Sequence, residues 1–130
     1  MCEPTKIQKD LEAYSHYYSG ALNALRNLCY GLSKNAGWHD NPVENGTAIA
    51  LIHSELSEAM TGDRTGAMDE HLPHRKMMEV EMADAVMRIF DFCGKNGLDI
   101  GGALVEKAKY NQTRADHKKE NRDKEGGKKY

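Results

Sequence analysis

The sequence predicts an all-α bundle with four principal helices, and three observations carry that prediction. Apolar residues recur four and three apart from Ile7 to Leu32, the spacing of a helical seam. Two further segments, 48–60 and 77–92, each carry a pair of carboxylates three residues apart beside an apolar stripe. No stretch shows the period-two alternation of a strand, and no Asn-Gly turn joins two alternating runs.

Thr5-Lys6-Ile7-Gln8 reads as a capping box that opens the first helix. Ile7, Leu11, Tyr14, Tyr18, Ala21, Leu25, Leu28 and Leu32 form its seam, expected in the bundle core and able to extend across a subunit interface. Gly37 is placed to end this helix in a left-handed residue, and Trp38-His39-Asp40 follows as a loop. Asn41-Pro42-Val43-Glu44 reads as the start of the second helix, running to about Met60. Thr61–Gly66 then breaks it. Pro73 opens the third helix, which ends near Lys95-Asn96-Gly97. Asp99 is the N-cap of a fourth, from Ile100 to about Thr113, whose first turn is weakened by Gly101 and Gly102. This gives one domain over residues 1–116 and a basic, mobile tail over 117–130, a solvated extension or a flap over an anionic ligand.

A chain of 130 residues with 39% hydrophobic and 29% charged residues fits one globular domain. The net charge of −2 argues against a nucleic-acid polymer as partner, although the tail is basic and the remainder is near −5. No apolar run is long enough for a membrane span, and residues 1–6 lack the apolar core of a signal peptide. Cys2, Cys29 and Cys93 follow no disulfide pattern. A cytoplasmic protein (host cytoplasm if phage-encoded) is expected.

The carboxylates are Glu55 and Glu58 on the second helix, Glu81 and Asp84 on the third. With each helix turned about 100° per residue, Glu55 falls within about 60° of Leu51, Ile52 and Ala59, and Glu81 within about 60° of Ala85. The acids therefore border the apolar stripes. If the stripes pack together, four acids converge, and such a group resists desolvation unless a cation joins it. Oxygen donors without Cys or His favour magnesium, manganese or calcium. The alternatives are a solvated acidic face, or ion pairs, for which Arg88 is well placed. On the fourth helix Lys107, Tyr110, Asn111 and Arg114 share one face, with cations suited to phosphate oxygens or simply to solvent. Trp38 either stacks on a nucleobase or plugs the end of the bundle.

Three blocks taken in order resemble the MazG-like all-α nucleoside triphosphate pyrophosphohydrolases. They are Ala50-Leu51-Ile52-His53-Ser54-Glu55-Leu56-Ser57-Glu58-Ala59, Glu79-Val80-Glu81-Met82-Ala83-Asp84-Ala85-Val86-Met87-Arg88-Ile89, and Glu106-Lys107-Ala108-Lys109-Tyr110-Asn111-Gln112-Thr113-Arg114. The resemblance spans roughly residues 35–118. It implies a homodimer or homotetramer that binds magnesium or manganese through Glu55, Glu58, Glu81 and Asp84. It places Lys107, Tyr110, Asn111 and Arg114 against the phosphates and sugar. It implies hydrolysis of a (deoxy)nucleoside triphosphate at the α-phosphate, giving monophosphate and pyrophosphate.

In such a reaction the metal offsets the triphosphate charge and activates water, and one carboxylate takes the proton. Glu55 is the candidate, because its place by the apolar stripe should raise its pKa. Small stand-alone relatives include broad triphosphatases, pyrimidine-specific ones and the phage MazZ type acting on (d)GTP. Size and organisation favour a purine such as dGTP. The alternative is a non-catalytic helical module binding a nucleotide or a partner. A di-iron carboxylate bundle is disfavoured, because no helix supplies Glu-x-x-His pairs.

Overall fold

The computed structural model describes residues 3–128. Met1, Cys2, Lys129 and Tyr130 lie outside the described residues, and with them the reading of Cys2 and the end of the tail. Among the described residues the secondary structure is helical apart from one isolated bridge. It comprises α1 (Lys6–Asn35), α2 (Asn45–Thr65), α3 (Met77–Lys95), α4 (Ile100–Thr113), a 3₁₀ turn (Ala115–His117) and a one-turn α5 (Lys119–Arg122). No helix among them is long and apolar enough to cross a membrane. They fall into two compact units. One joins the chain up to Asn23 with that from Asp99 onward, and the other is Ala24–Leu98.

In the first unit the capping box opens α1. Thr5 N–H donates to Gln8 Oε1 at 2.8 Å, and Gln8 N–H to Thr5 Oγ1 at 3.3 Å. The α4 start, doubtful in sequence because of its glycines, is held from α1. Asn23 accepts Gly101 N–H at 3.0 Å and donates to Asp99 Oδ1 at 2.7 Å, while that same oxygen accepts Gly102 N–H at 2.9 Å. Gly101 is required for this approach, because a Cβ there would run into the Ser19 carbonyl. Val105 is buried on the same helix, and Lys109 pairs with Glu12 at 2.8 Å. Past α4, Asn121 donates to the Ala115 carbonyl at 2.7 Å, which ties α5 to the 3₁₀ turn.

In the second unit α2 and α3 form an antiparallel hairpin around buried Ala59, Ala85, Phe90 and Cys93. Its boundaries correct the sequence reading twice. α2 begins at Asn45, not at Asn41-Pro42, and continues through Gly62 to a left-handed Gly66 whose N–H returns to the Gly62 carbonyl. Gly62 is therefore a packing glycine. A Cβ there would stand 2.7 Å from the Met78 nitrogen. Pro73 does not open α3 but occupies the second position of a turn closed by Arg75 N–H on the Leu72 carbonyl at 2.8 Å. α3 starts at Met77, after a single antiparallel bridge between Met68 and Lys76.

The α1 seam is the third correction. No residue of α1 is buried, and Ile7, Tyr14, Tyr18, Leu25, Leu28 and Leu32 are exposed, Ile7 at 79% and Leu28 at 54%. Of the seam, Leu11 is half-covered, and the rest of the half-covered face is Ser15, Ser19, Leu22, Asn23, Arg26, Cys29, Tyr30 and Ser33, with Gln8, Asp10 and Gly31 also partly covered. The reason is close approach to glycine. Just as Gly101 meets Ser19 in the first unit, Gly94 of α3 meets Tyr30 in the second, where an added Cβ would collide with the Tyr30 side chain. Contacts this short select the small and polar face and leave the seam outward.

Candidate functional site

The α2–α3 hairpin builds a carboxylate cluster out of its own packing. On α2 the buried residues are Glu55, Ala59 and Gly62, and on α3 they begin with Glu81 and Ala85. Ala59 and Ala85 are small enough for the helices to close up, and one turn away Glu55 and Glu81 are carried inward to 9% and 8% exposure. One oxygen each from Glu55, Glu81 and Asp84 lies within 4.8 Å of the others. Glu58 stays exposed and outside this trio, though its charge reaches Glu81.

Electrostatics separate the acids. Burial pushes the Glu81 carboxyl up from 4.5 to about 7, helped by the Glu58 charge, by a hydrogen bond with Glu55 and by the charges of Glu55 and Asp84. Asp84 is also raised, by burial first and then by Glu55, with Arg88 opposing and Asp69 adding to the shift. Glu55 has a cation of its own: Arg88 Nε donates to its Oε1 at 2.5 Å. Sequence reasoning assigned the raised carboxyl to Glu55; the group pushed up to about 7 is Glu81. Donor type and spacing fit a hard divalent cation such as magnesium or manganese, which three carboxylate oxygens from two helices could hold.

The cluster opens on a cleft of about 400 Å³, within the range of small-molecule sites. Glu55, Asp84 and Arg88 line one part of it, with Trp38, Leu32 and Asp91 among the other walls. Trp38 is set there by the end of α1. Gly37, at φ 82°, donates to the Lys34 carbonyl at 3.0 Å, and Trp38 N–H donates to the Ser33 carbonyl at 3.2 Å, the paired bonds of a Schellman motif. Trp38 is 76% exposed and so does not plug the unit.

The residues named on α4 lie in the first unit and form their own group. Lys107 Nζ and the Arg114 guanidinium sit 5.0 and 5.8 Å from the Tyr110 ring centre. Arg114 also grips Asp116 with two hydrogen bonds, which raises the Arg114 pKa and holds the Asp116 carboxyl below its usual range. The Asn111 Oδ1 is buried without a hydrogen-bond partner.

Three residues of the second unit were not singled out in the sequence. Asp69 is buried and accepts His71 N–H at 3.0 Å and Leu72 N–H at 2.6 Å, an Asx turn that the Asp-x-His-Leu-Pro order could have signalled. Asp91 extends the Asp84–Arg88 face by one turn. His39 Nε2 donates to Asp91 Oδ1 at 2.8 Å and stacks edge-on against Tyr30, centroids 5.1 Å apart. Compared with models of known families, with curated proteins and with solved structures, the chain matches none of them.

Proposed function

We propose that this chain is a metal-dependent nucleoside triphosphate pyrophosphohydrolase of the MazG-like type, converting a (deoxy)nucleoside triphosphate to its monophosphate and pyrophosphate. The observation that carries the reading is the convergence of Glu55, Glu81 and Asp84 from two helices, with Glu55 and Asp84 lining a cleft that also holds an exposed tryptophan. Magnesium or manganese at these carboxylates, with Glu58 beside them, would neutralise the triphosphate and activate water for attack on the α-phosphorus.

The remaining roles belong to the chain. Glu55 lines the cleft whereas Glu81 does not, so Glu55 is the carboxylate placed to take a proton from the attacking water. Glu81 gives up its own proton before it can serve as a ligand. Trp38 offers a face for a base to stack on. The sequence resemblance alone implies that Lys107, Tyr110, Asn111 and Arg114 would face phosphates and sugar. The outward α1 seam fits a homodimer or homotetramer in which a second copy covers Leu25, Leu28 and Leu32. A cytoplasmic setting accords with a nucleotide substrate.

One observation favours a second reading. The Arg88–Glu55 ion pair already neutralises one acid without a metal, as it would in a helical nucleotide- or partner-binding module without catalysis. The test is hydrolysis of the eight common NTPs and dNTPs with magnesium or manganese, products separated by chromatography, beside Glu55→Gln. Monophosphate formation lost in the variant supports the enzyme. Nucleotide binding without turnover supports the module.

A further inference from the structure

The hydrolase reading uses Glu55, Asp84 and Trp38 of the cleft and leaves Asp91 without a role. Asp91 lines the wall with Trp38, its side chain 27% exposed, and His39 pins one carboxylate oxygen. A carboxylate oxygen accepts, so the His39 Nε2 carries the hydrogen. The second oxygen, Oδ2, takes no hydrogen bond among the described residues, and Oδ1 keeps a lone pair. His39 is itself held, by the Schellman turn before it and by the edge of Tyr30. The carboxylate is therefore fixed in direction before any ligand arrives, the condition under which a hydrogen-bonding group discriminates well. It also lies close enough to the Cys29 thiol, on the same wall, to raise that thiol further after burial has done so.

Asp84 and Asp91 stand seven residues apart on α3 and on one face. At 1.5 Å per residue that is about 10 Å along the axis, of the order of the span of a nucleoside monophosphate from its phosphate to the far edge of its base. A ligand with its α-phosphate at the Glu55–Asp84 cluster and its base against Trp38 would bring that edge to Asp91.

We propose that Asp91, held by His39, is the specificity-determining residue of this cleft and selects nucleobases that present two adjacent N–H donors. Among the common bases only guanine does so, through N1–H and its 2-amino group. Adenine and cytosine offer one amino group beside an acceptor, and uracil and thymine one N–H between two carbonyls. A carboxylate meets guanine with two charge-assisted hydrogen bonds and meets each of the others with at least one acceptor facing an acceptor. The inference rests on the nucleotide reading of the site. His39 is a positioning residue and touches no substrate.

The test compares dGTP with dITP, which keeps N1–H and lacks the 2-amino group, and with dATP. In the unaltered protein kcat/KM falls about tenfold or more from dGTP to dITP, as one charged hydrogen bond is lost, and further to dATP. In Asp91→Asn the dGTP/dITP ratio closes to near one. His39→Gln raises KM for dGTP more than it lowers kcat, a split that general destabilisation does not produce. Turnover of other bases without guanine preference, or a dGTP/dITP ratio untouched by Asp91→Asn, overturns the inference and leaves the hydrolase reading standing. If no triphosphate is turned over, the hydrolase reading fails, and calorimetric titration with dGMP and dIMP decides the inference alone. Tighter dGMP binding that Asp91→Asn abolishes sustains it, and equal binding overturns it.

Discussion

If a divalent cation sits at the carboxylate cluster as proposed, Glu81 makes its binding a proton-releasing event with a defined pH window. Its carboxyl, pushed up to about 7, must lose its proton to become a ligand. From that pKa the group is about 0.9 protonated at pH 6, half at pH 7 and about 0.1 at pH 8. Manganese binding should therefore expel about 0.9 proton per site from Glu81 at pH 6 and about 0.1 at pH 8. The apparent affinity should climb about tenfold per pH unit below pH 7 and level off above it. Calorimetric titration in buffers of different ionisation enthalpy reads the proton count directly, and Glu81→Gln should abolish most of it. The same shift has a stability sign. Between 4.5 and about 7 the folded chain keeps a proton that the unfolded chain has lost, so metal-free stability should fall as pH rises through that window and then flatten. A proton count independent of pH, or one that survives in Glu81→Gln, would refute the reasoning.

Other substitutions probe the scaffold. Gly94→Ala drives a methyl into the Tyr30 side chain and should cost about 1–3 kcal/mol in thermal or denaturant unfolding. Asp69→Ala strips the acceptor from two backbone N–H groups and should cost about 1–3 kcal/mol, with faster amide exchange at His71 and Leu72. Leu28→Glu on the outward seam should leave helix content intact by circular dichroism while sedimentation shifts toward the monomer.

The parts of this structure that were legible in the sequence are those whose physics is local. The Thr5–Gln8 box, the Asp99 cap and the helical placing of Glu55, Glu58, Glu81 and Asp84 depend on residues within one turn of each other. What was not legible depends on a distant partner. The α1 wheel offers a long apolar seam and a narrower polar face, and only Gly94 and Gly101, on other helices, decide that the polar face turns inward. Gly62 has the signature of a breaker, and it is the Met78 backbone nitrogen and the Met77 side chain against it that make it a contact. Glu55 and Glu81 occupy matching positions on their wheels. Arg88, 33 residues from Glu55 in the chain, reaches that acid at 2.5 Å, while Glu81 keeps the proton. Asp91 and His39 are 52 residues apart and carry no shared motif.

The most direct test of the central claim is hydrolysis of a nucleoside triphosphate in ¹⁸O-water with manganese, followed by ³¹P NMR of the products. The account predicts monophosphate and pyrophosphate, with the label on the monophosphate, because water attacks the α-phosphorus at the Glu55–Glu81–Asp84 cluster. Label in pyrophosphate, release of inorganic phosphate with a diphosphate, or no turnover would contradict it.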